Sequence, residues 1–186
     1  GKGNDQVRLD VAITTLAPDL TIIGTARENE MSRDAAIEYA QSHGISVRQT
    51  LASPYSTDEN LWGRSVECGE LEDPWAEPPE GVWSWTTDPG SAPDEPAILE
   101  ISFEQGIPVA IDGERLDPVT LVQRLSDLGG KHGIGRVDMV EDRLVGIKSR
   151  EIYEAPAAVT LITAHKALEQ LTLAKPQIRM KERVAQ

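Results

Sequence analysis

Apolar residues change their spacing several times along the chain, and each change marks an expected element. Residues 5–16 read as a helix that Pro18 stops. Residues 20–26 read as a short strand, apolar on both faces, of the kind buried inside a parallel sheet. Ser32 caps a second helix that runs through His43, with Gly44 just past its end, and residues 45–49 read as another strand. The order helix, strand, helix, strand is that of the tail of an α/β unit. From Leu51 the style changes. Thr57 or Asp58 starts a short helix through Arg64. Residues 97–103 and 107–111 alternate apolar and polar positions, and the Glu104-Gln105-Gly106 turn between them implies a hairpin. Asp117 with Pro118 opens a helix that ends at Gly129-Gly130. Residues 136–140 and 144–148 read as two more strands joined around Asp142-Arg143, and residues 156–173 are apolar at helical spacing. Strands and helices without strict alternation indicate an α+β second unit. No internal repeat is visible.

Composition narrows the class. Hydrophobic residues make up 39% and charged residues 26% of the 186, which suits a soluble globular protein. No apolar run approaches the ~20 residues that cross a bilayer, so no membrane partner is expected. No signal-peptide pattern stands at the start, although a trimmed start would hide one. Cys68 is the only cysteine, which excludes an internal disulfide and a cysteine-based zinc site and fits a reducing, cytoplasmic setting. The net charge of −13 is uneven. Residues 70–96 hold eight acidic residues, no Lys or Arg, and half of the twelve prolines. That stretch reads as an extended, solvated excursion with one strand at residues 82–86. An acidic balance argues against nucleic acid as a partner, because phosphate contacts need Lys and Arg. His43, His132 and His165 share no metal spacing, and no metal site is expected.

Three clusters carry candidate chemistry. In GKGNDQVR, residues 1–8, Gly1 and Gly3 flank Lys2, and glycines let backbone N–H groups come close to an anion. The helix start behind them favours negative charge. Asn4 and Asp5 are suited to grip both ends of a small amino acid, and Arg8 lies on about the same helical face as Asn4. The plainer alternative is a glycine turn followed by an Asn/Asp helix cap. A loop of this kind normally follows a strand, so the chain is expected to be part of something larger. In YSTDENLWGRSVECG, residues 55–69, Ser56 and Ser65 are placed to present hydroxyls from either end of a short helix; the alternative is a capping Ser56 and a solvated Ser65. In GKHGIGRVDMVEDRLVGIKSREIYEAP, residues 130–156, Glu141 and Tyr153 stand at the ends of candidate strands. A carboxylate there can pair with a ligand ammonium and a tyrosine hydroxyl can orient it; ordinary cross-strand salt bridges are the alternative.

In the same order and at similar intervals, the three clusters closely resemble argininosuccinate synthases, and the resemblance covers nearly the whole chain, weakening after about Thr172. It implies an ATP-dependent ligase of arginine biosynthesis, joining citrulline to aspartate and releasing AMP and pyrophosphate. Asn4 and Asp5 would hold aspartate, and Asn4 would also touch citrulline. Arg8, Ser56, Ser65, Glu141 and Tyr153 match the citrulline-binding positions, and the turn of Gly1, Lys2 and Gly3 would lie beside the nucleotide. ATP, with Mg2+, is the implied nucleotide substrate, and a homotetramer the implied assembly. The implied organisation is residues 1–50 as the C-terminal part of a parallel-sheet nucleotide-binding domain, residues 51–175 as an α+β synthetase domain for citrulline binding and assembly, and residues 176–186 as the start of a C-terminal segment.

The reaction implied has no covalent enzyme intermediate. The ureido oxygen of citrulline attacks the α-phosphate, and the aspartate amine then displaces AMP, so catalysis is mostly positioning and charge stabilisation. Asp5 is a candidate acceptor for a proton of the incoming amine. The chain departs from the family in lacking a pyrophosphate loop of the SGGxDT kind, the threonine expected just before Gly1, and the long C-terminal continuation. The expectation is a middle portion of the enzyme, inactive and self-associating when isolated. A non-catalytic homologous fragment serving as an amino-acid-binding or assembly module is the alternative, and an enzyme half that needs a separate N-terminal chain is a third reading.

Overall fold

The computed structural model describes residues 4–29, 33–46, 55–144 and 146–185. In chain order, α1 (Asn4–Leu16), α2 (Thr25–Glu28) and α3 (Arg33–Ser42) precede β1 (Ser56–Glu59) and β2 (Arg64–Glu67). Two short 3-10 turns follow, Gly69–Glu72 and Glu80–Val82. Then come β3 (Ile101–Glu104), β4 (Ile107–Ile111), β5 (Glu114–Arg115), α4 (Pro118–Lys131), β6 (Arg136–Asp142), β7 (Lys148–Glu154), α5 (Pro156–Thr172) and α6 (Lys175–Val184). One sheet has the order β1-β2-β7-β6 and a second the order β3-β4-β5. The mixture of helices with hairpin-linked strands is an α+β arrangement. No helix among the described residues is long and apolar enough to cross a membrane.

The chain divides into two compact units: Gly1–Thr57 with Val66–Pro78 and Met139–Glu151, and Asp58–Ser65 with Pro79–Asp138 and Ile152–Gln186. In the first, Ile37, Ala40, Val66 and Leu71 are buried. Arg143 donates to Glu67 at 2.9 Å and to Glu151 at 3.3 Å. In the second, Ile111, Leu121, Val122, Leu125, Ala157 and Leu161 form an apolar core, with Leu99, Ile101, Phe103 and Leu116 packed against it.

Local chemistry explains the second unit's elements. Glu104 pairs with Ile107, leaving Gln105 and Gly106 as a two-residue turn with φ of 52° and 82°. Positive φ at both positions is the type I′ geometry that matches strand twist. Asp112 and Gly113 repeat it, with φ of 50° and 80°, and so create β5, which was not expected from the sequence. The Asp117 carboxylate accepts from the N–H groups of Val119 and Thr120 at 3.1 Å each, and Pro118 occupies the first turn of α4. Gly135 has φ of 99°, and a Cβ there would lie 2.5 Å from the backbone of Pro156, so the entry to β6 tolerates no side chain.

Several expected elements are absent or displaced. Residues 20–24 form no strand, and Thr25–Glu28 is helical. Gly24 N–H donates to Glu28 Oε1 at 2.9 Å and Asn29 Nδ2 to the Thr25 carbonyl at 2.7 Å. These local bonds satisfy groups that a strand would need a neighbouring ladder to satisfy, and no described strand supplies one. Of the strand expected at 45–49, residues 45 and 46 are irregular and the rest lies outside the described residues; so does Ser32, the expected cap. The helix expected from Thr57 or Asp58 to Arg64 is instead the β1–β2 hairpin. Asn60 Oδ1 accepts from Trp62 N–H at 2.8 Å and Gly63 N–H at 3.2 Å, and Asn60 N–H donates to the Gly63 carbonyl, closing a turn. The strand expected at 144–148 is a turn, closed by Gly146 N–H on the Arg143 carbonyl at 2.8 Å, and β7 begins only at Lys148. The acidic stretch is not wholly solvated, since Leu71, Val82 and Thr86 are buried. Its expected strand at 82–86 is missing because those backbone donors serve a side chain.

Candidate functional site

That side chain is Glu154, the last residue of β7 and fully buried. Its carboxylate accepts from the N–H groups of Ser84, Trp85 and Thr86 at 2.9–3.1 Å and from the Thr86 hydroxyl at 2.7 Å. Arg64 of β2 donates to it from Nη1 at 2.7 Å. The same Nη1 donates to the Val82 carbonyl, and Nε donates to Glu59 at 3.0 Å. Arg136, at the start of β6, donates to the Thr86 hydroxyl and carbonyl at 3.0 Å each and lies 4.6 Å from the centre of the Trp83 ring. Burial pushes the Glu154 carboxyl up, but the hydrogen bonds from Thr86, Ser84, Trp85 and Arg64 outweigh it and hold the group below the usual carboxylate range. Glu154 is therefore a charged anchor for residues 82–86, with no unmet acceptor to offer a substrate.

Successive side chains of a strand point to opposite faces. Arg64 and Glu154 meet on one face of the adjacent strands β2 and β7. Ser65 and Tyr153, each one residue away, therefore share the other face. Both are partly exposed, as a ligand-contacting pair must be. The sequence had placed Ser65 at the end of a helix; paired strands hold it instead.

The other candidates are distributed as follows. Ser56 opens β1, half-buried, and Glu141 stands half-buried in β6; both belong to the first unit, as do Asn4, Asp5 and Arg8. Asn4 and Asp5 form the first turn of α1, and Arg8 is exposed one turn later. Gly1, Lys2 and Gly3 lie outside the described residues. Ser65 and Tyr153 belong to the second unit.

Sequence reasoning passed over Glu154, Arg64, Thr86 and Arg136. The available signal was small: Glu154 alternates with the apolar Ile152 in a strand that runs directly into the apolar start of α5, a register where a charge needs a partner.

Residues 1–46 match the arginosuccinate synthase N-terminal HUP domain, and residues 55–186 match the arginosuccinate synthase C-terminal domain. Over 184 residues the chain is 60% identical to the argininosuccinate synthase of Dehalococcoides mccartyi strain 195, covering 99% of this chain and 45% of that protein. It is 58% identical over 186 residues to that of Rubrobacter xylanophilus, covering all of this chain and 46% of the relative. The Bacillus velezensis enzyme is 56% identical over the same length. The chain thus spans about half the length of the curated relatives it matches. Two domain matches in order and identity above half along the whole chain establish that it belongs to the argininosuccinate synthase family.

Proposed function

We propose that this chain contributes the amino-acid-binding part of an ATP-dependent ligase that condenses citrulline with aspartate to argininosuccinate, AMP and pyrophosphate. The observation that carries the reading is the shared face of Ser65 and Tyr153, two hydroxyl side chains from separate sequence clusters on paired strands. Both substrates are zwitterionic amino acids, so their site requires a cation for carboxylate and anions for ammonium. Arg8 supplies the cation, and Glu141 and Asp5 the anions. Ser56, Ser65 and Tyr153 orient citrulline through their hydroxyls. Asn4 bridges citrulline and aspartate, and Asp5 receives the proton shed by the attacking amine. Gly1, Lys2 and Gly3 border ATP, which enters as its magnesium complex. With no covalent enzyme intermediate, the rate comes mostly from alignment of the ureido oxygen with the α-phosphate and then of the amine with the adenylated carbon.

In this reading residues 1–50 belong to a parallel-sheet nucleotide-binding domain, residues 51–175 to a synthetase domain and residues 176–186 to the start of a C-terminal segment. The working protein is a cytoplasmic homotetramer. The test uses a full-length synthase carrying these residues. Glu141→Ala leaves the citrulline ammonium without its partner, a loss of roughly 1.5–3 kcal/mol, so the citrulline KM rises while the ATP KM holds. Tyr153→Phe removes only a hydroxyl and costs less. An unchanged citrulline KM in Glu141→Ala leaves Glu141 an ordinary cross-strand partner and removes it from the site.

A further inference from the structure

The Glu154 anchor has no place in the chemistry above, yet it is joined by a single peptide bond to Tyr153, and its partner Arg64 is joined likewise to Ser65. We propose that Glu154 is a positioning residue that sets the two hydroxyls of Ser65 and Tyr153 at the spacing one citrulline requires; this rests on the assignment of those residues to citrulline. Three observations support it. The Arg64–Glu154 bond, at 2.7 Å, crosses β2 and β7 at the residues beside the two hydroxyls, so a slip of either strand breaks it. The carboxylate cannot drift to follow such a slip, because Ser84, Trp85 and Thr86 hold both of its oxygens. The turn ahead of Arg64 is clamped independently, since a Cβ on Gly63 would come within 3.0 Å of the Glu154 carbonyl oxygen and 3.3 Å of the Ala155 Cβ.

The division of labour follows from strand alternation. One face carries a charge satisfied by groups of the protein, and the other carries the two hydroxyls assigned to citrulline. A buried ion pair adds little net stability compared with an apolar pair of similar volume. Its directional bonds, unlike apolar packing, fix the register to a fraction of an ångström, the tolerance that binding constellations require.

The test is a double-mutant cycle in a full-length synthase carrying these residues, read as separate KM values for citrulline, aspartate and ATP. Glu154→Gln keeps the side chain's shape but places an amide NH2 against donors. The expected result is a citrulline KM raised about 10- to 100-fold, with the ATP KM within about twofold. In a Ser65→Ala/Tyr153→Phe background the same substitution should raise the citrulline KM by less than about threefold, because the groups it positions are gone. Thr86→Val, which removes one donor and retains the volume, carries the same cycle should Glu154→Gln fail to fold, with a smaller effect of the same pattern. A citrulline penalty of equal size in both backgrounds, or a fall in active protein with every KM unchanged, overturns the positioning role and leaves the citrulline assignment intact. A citrulline KM untouched by Ser65→Ala/Tyr153→Phe overturns that assignment and the positioning role with it.

Discussion

Within the second unit, the apolar core and the Glu154 anchor solve the same problem, fixing elements distant in sequence, by opposite means. In the core, Ile111, Leu121, Leu125, Ala157 and Leu161 bury side chains that have no preferred direction. Any set of apolar groups of about that volume would do nearly as well. At the anchor, one carboxylate gathers Ser84, Trp85, Thr86 and Arg64, and each bond has a required length and angle. The core therefore yields cohesion and the anchor yields register.

The sharpest break of that contrast is Glu154→Ala. It takes the buried carboxylate from Arg64, which keeps only Glu59 and the Val82 carbonyl, and leaves three backbone N–H groups without their acceptor, and the expected loss is about 3–5 kcal/mol in urea unfolding. Glu154→Gln, which keeps the volume, should still lose most of it; in an apolar site of the same size the isosteric change would be mild. The two regions also differ in pH response. Glu154 is held below the ordinary carboxylate range, so its contribution is fully present above the unfolded glutamate value of about 4.3 and is lost as the pH falls through the lower folded value. Unfolding curves taken below pH 5 should therefore be less steep in pH for Glu154→Gln than for the parent. Glu104, Asp117 and Glu169, also shifted downward by their hydrogen-bond partners, contribute slope in both proteins. Equal slopes in parent and variant would mean that the Glu154 carboxyl titrates alike in the folded and the unfolded protein.

The same contrast explains which parts of the fold could be read from the residues. The Gln105-Gly106 turn, the Asp117-Pro118 opening of α4 and the start of α5 at Pro156 are local: the residues that determine them lie within a few positions of one another. The segment 82–86 was not legible because its partner lies 68 residues from Thr86 in sequence. The β1–β2 hairpin was missed because Ser56, Thr57 and Asp58 are good helix caps, and nothing local says that Asn60 will close a turn instead. Residues 20–26 have strand composition, but composition does not supply a ladder. The candidate residues were chosen through whole clusters matched to a family; their spacing alone left plain alternatives for Ser56, Ser65, Glu141 and Tyr153.

Truncating the core tests the other half of the contrast. Leu121→Ala removes a side chain that is 1% exposed, and the expected cost is about 2–5 kcal/mol, set by how far the site relaxes. Its pH dependence should run parallel to the parent, since no charge is moved. Ile111→Val, at an equally buried position, should cost about 0.5–1.5 kcal/mol. In a full-length synthase carrying these residues, both should lower the melting temperature and leave the citrulline KM where it was. A citrulline KM that rose in Ile111→Val would show register to be set by core volume, and the separation of roles would fail.

The smallest effect is expected from a bond that on distance alone equals the largest. Arg115 Nη1 lies 2.7 Å from Glu104 Oε1 and Nη2 lies 2.8 Å from Oε2, a two-pronged pair with the geometry that favours strength. Arg64 and Glu154 are also 2.7 Å apart. The side chains of the first pair are 67% and 59% exposed, those of the second 11% and 0%. Exposed charges are solvated before and after they meet, and salt screens what attraction remains. Breaking the pair also orphans nothing, because water takes the place of the missing partner. Arg115→Gln should therefore leave the urea midpoint unchanged within error at physiological ionic strength, with at most a small decrease at low salt. A midpoint shift as large as that of Glu154→Gln would show that bond geometry, not burial, decides the weight of an ion pair in this unit.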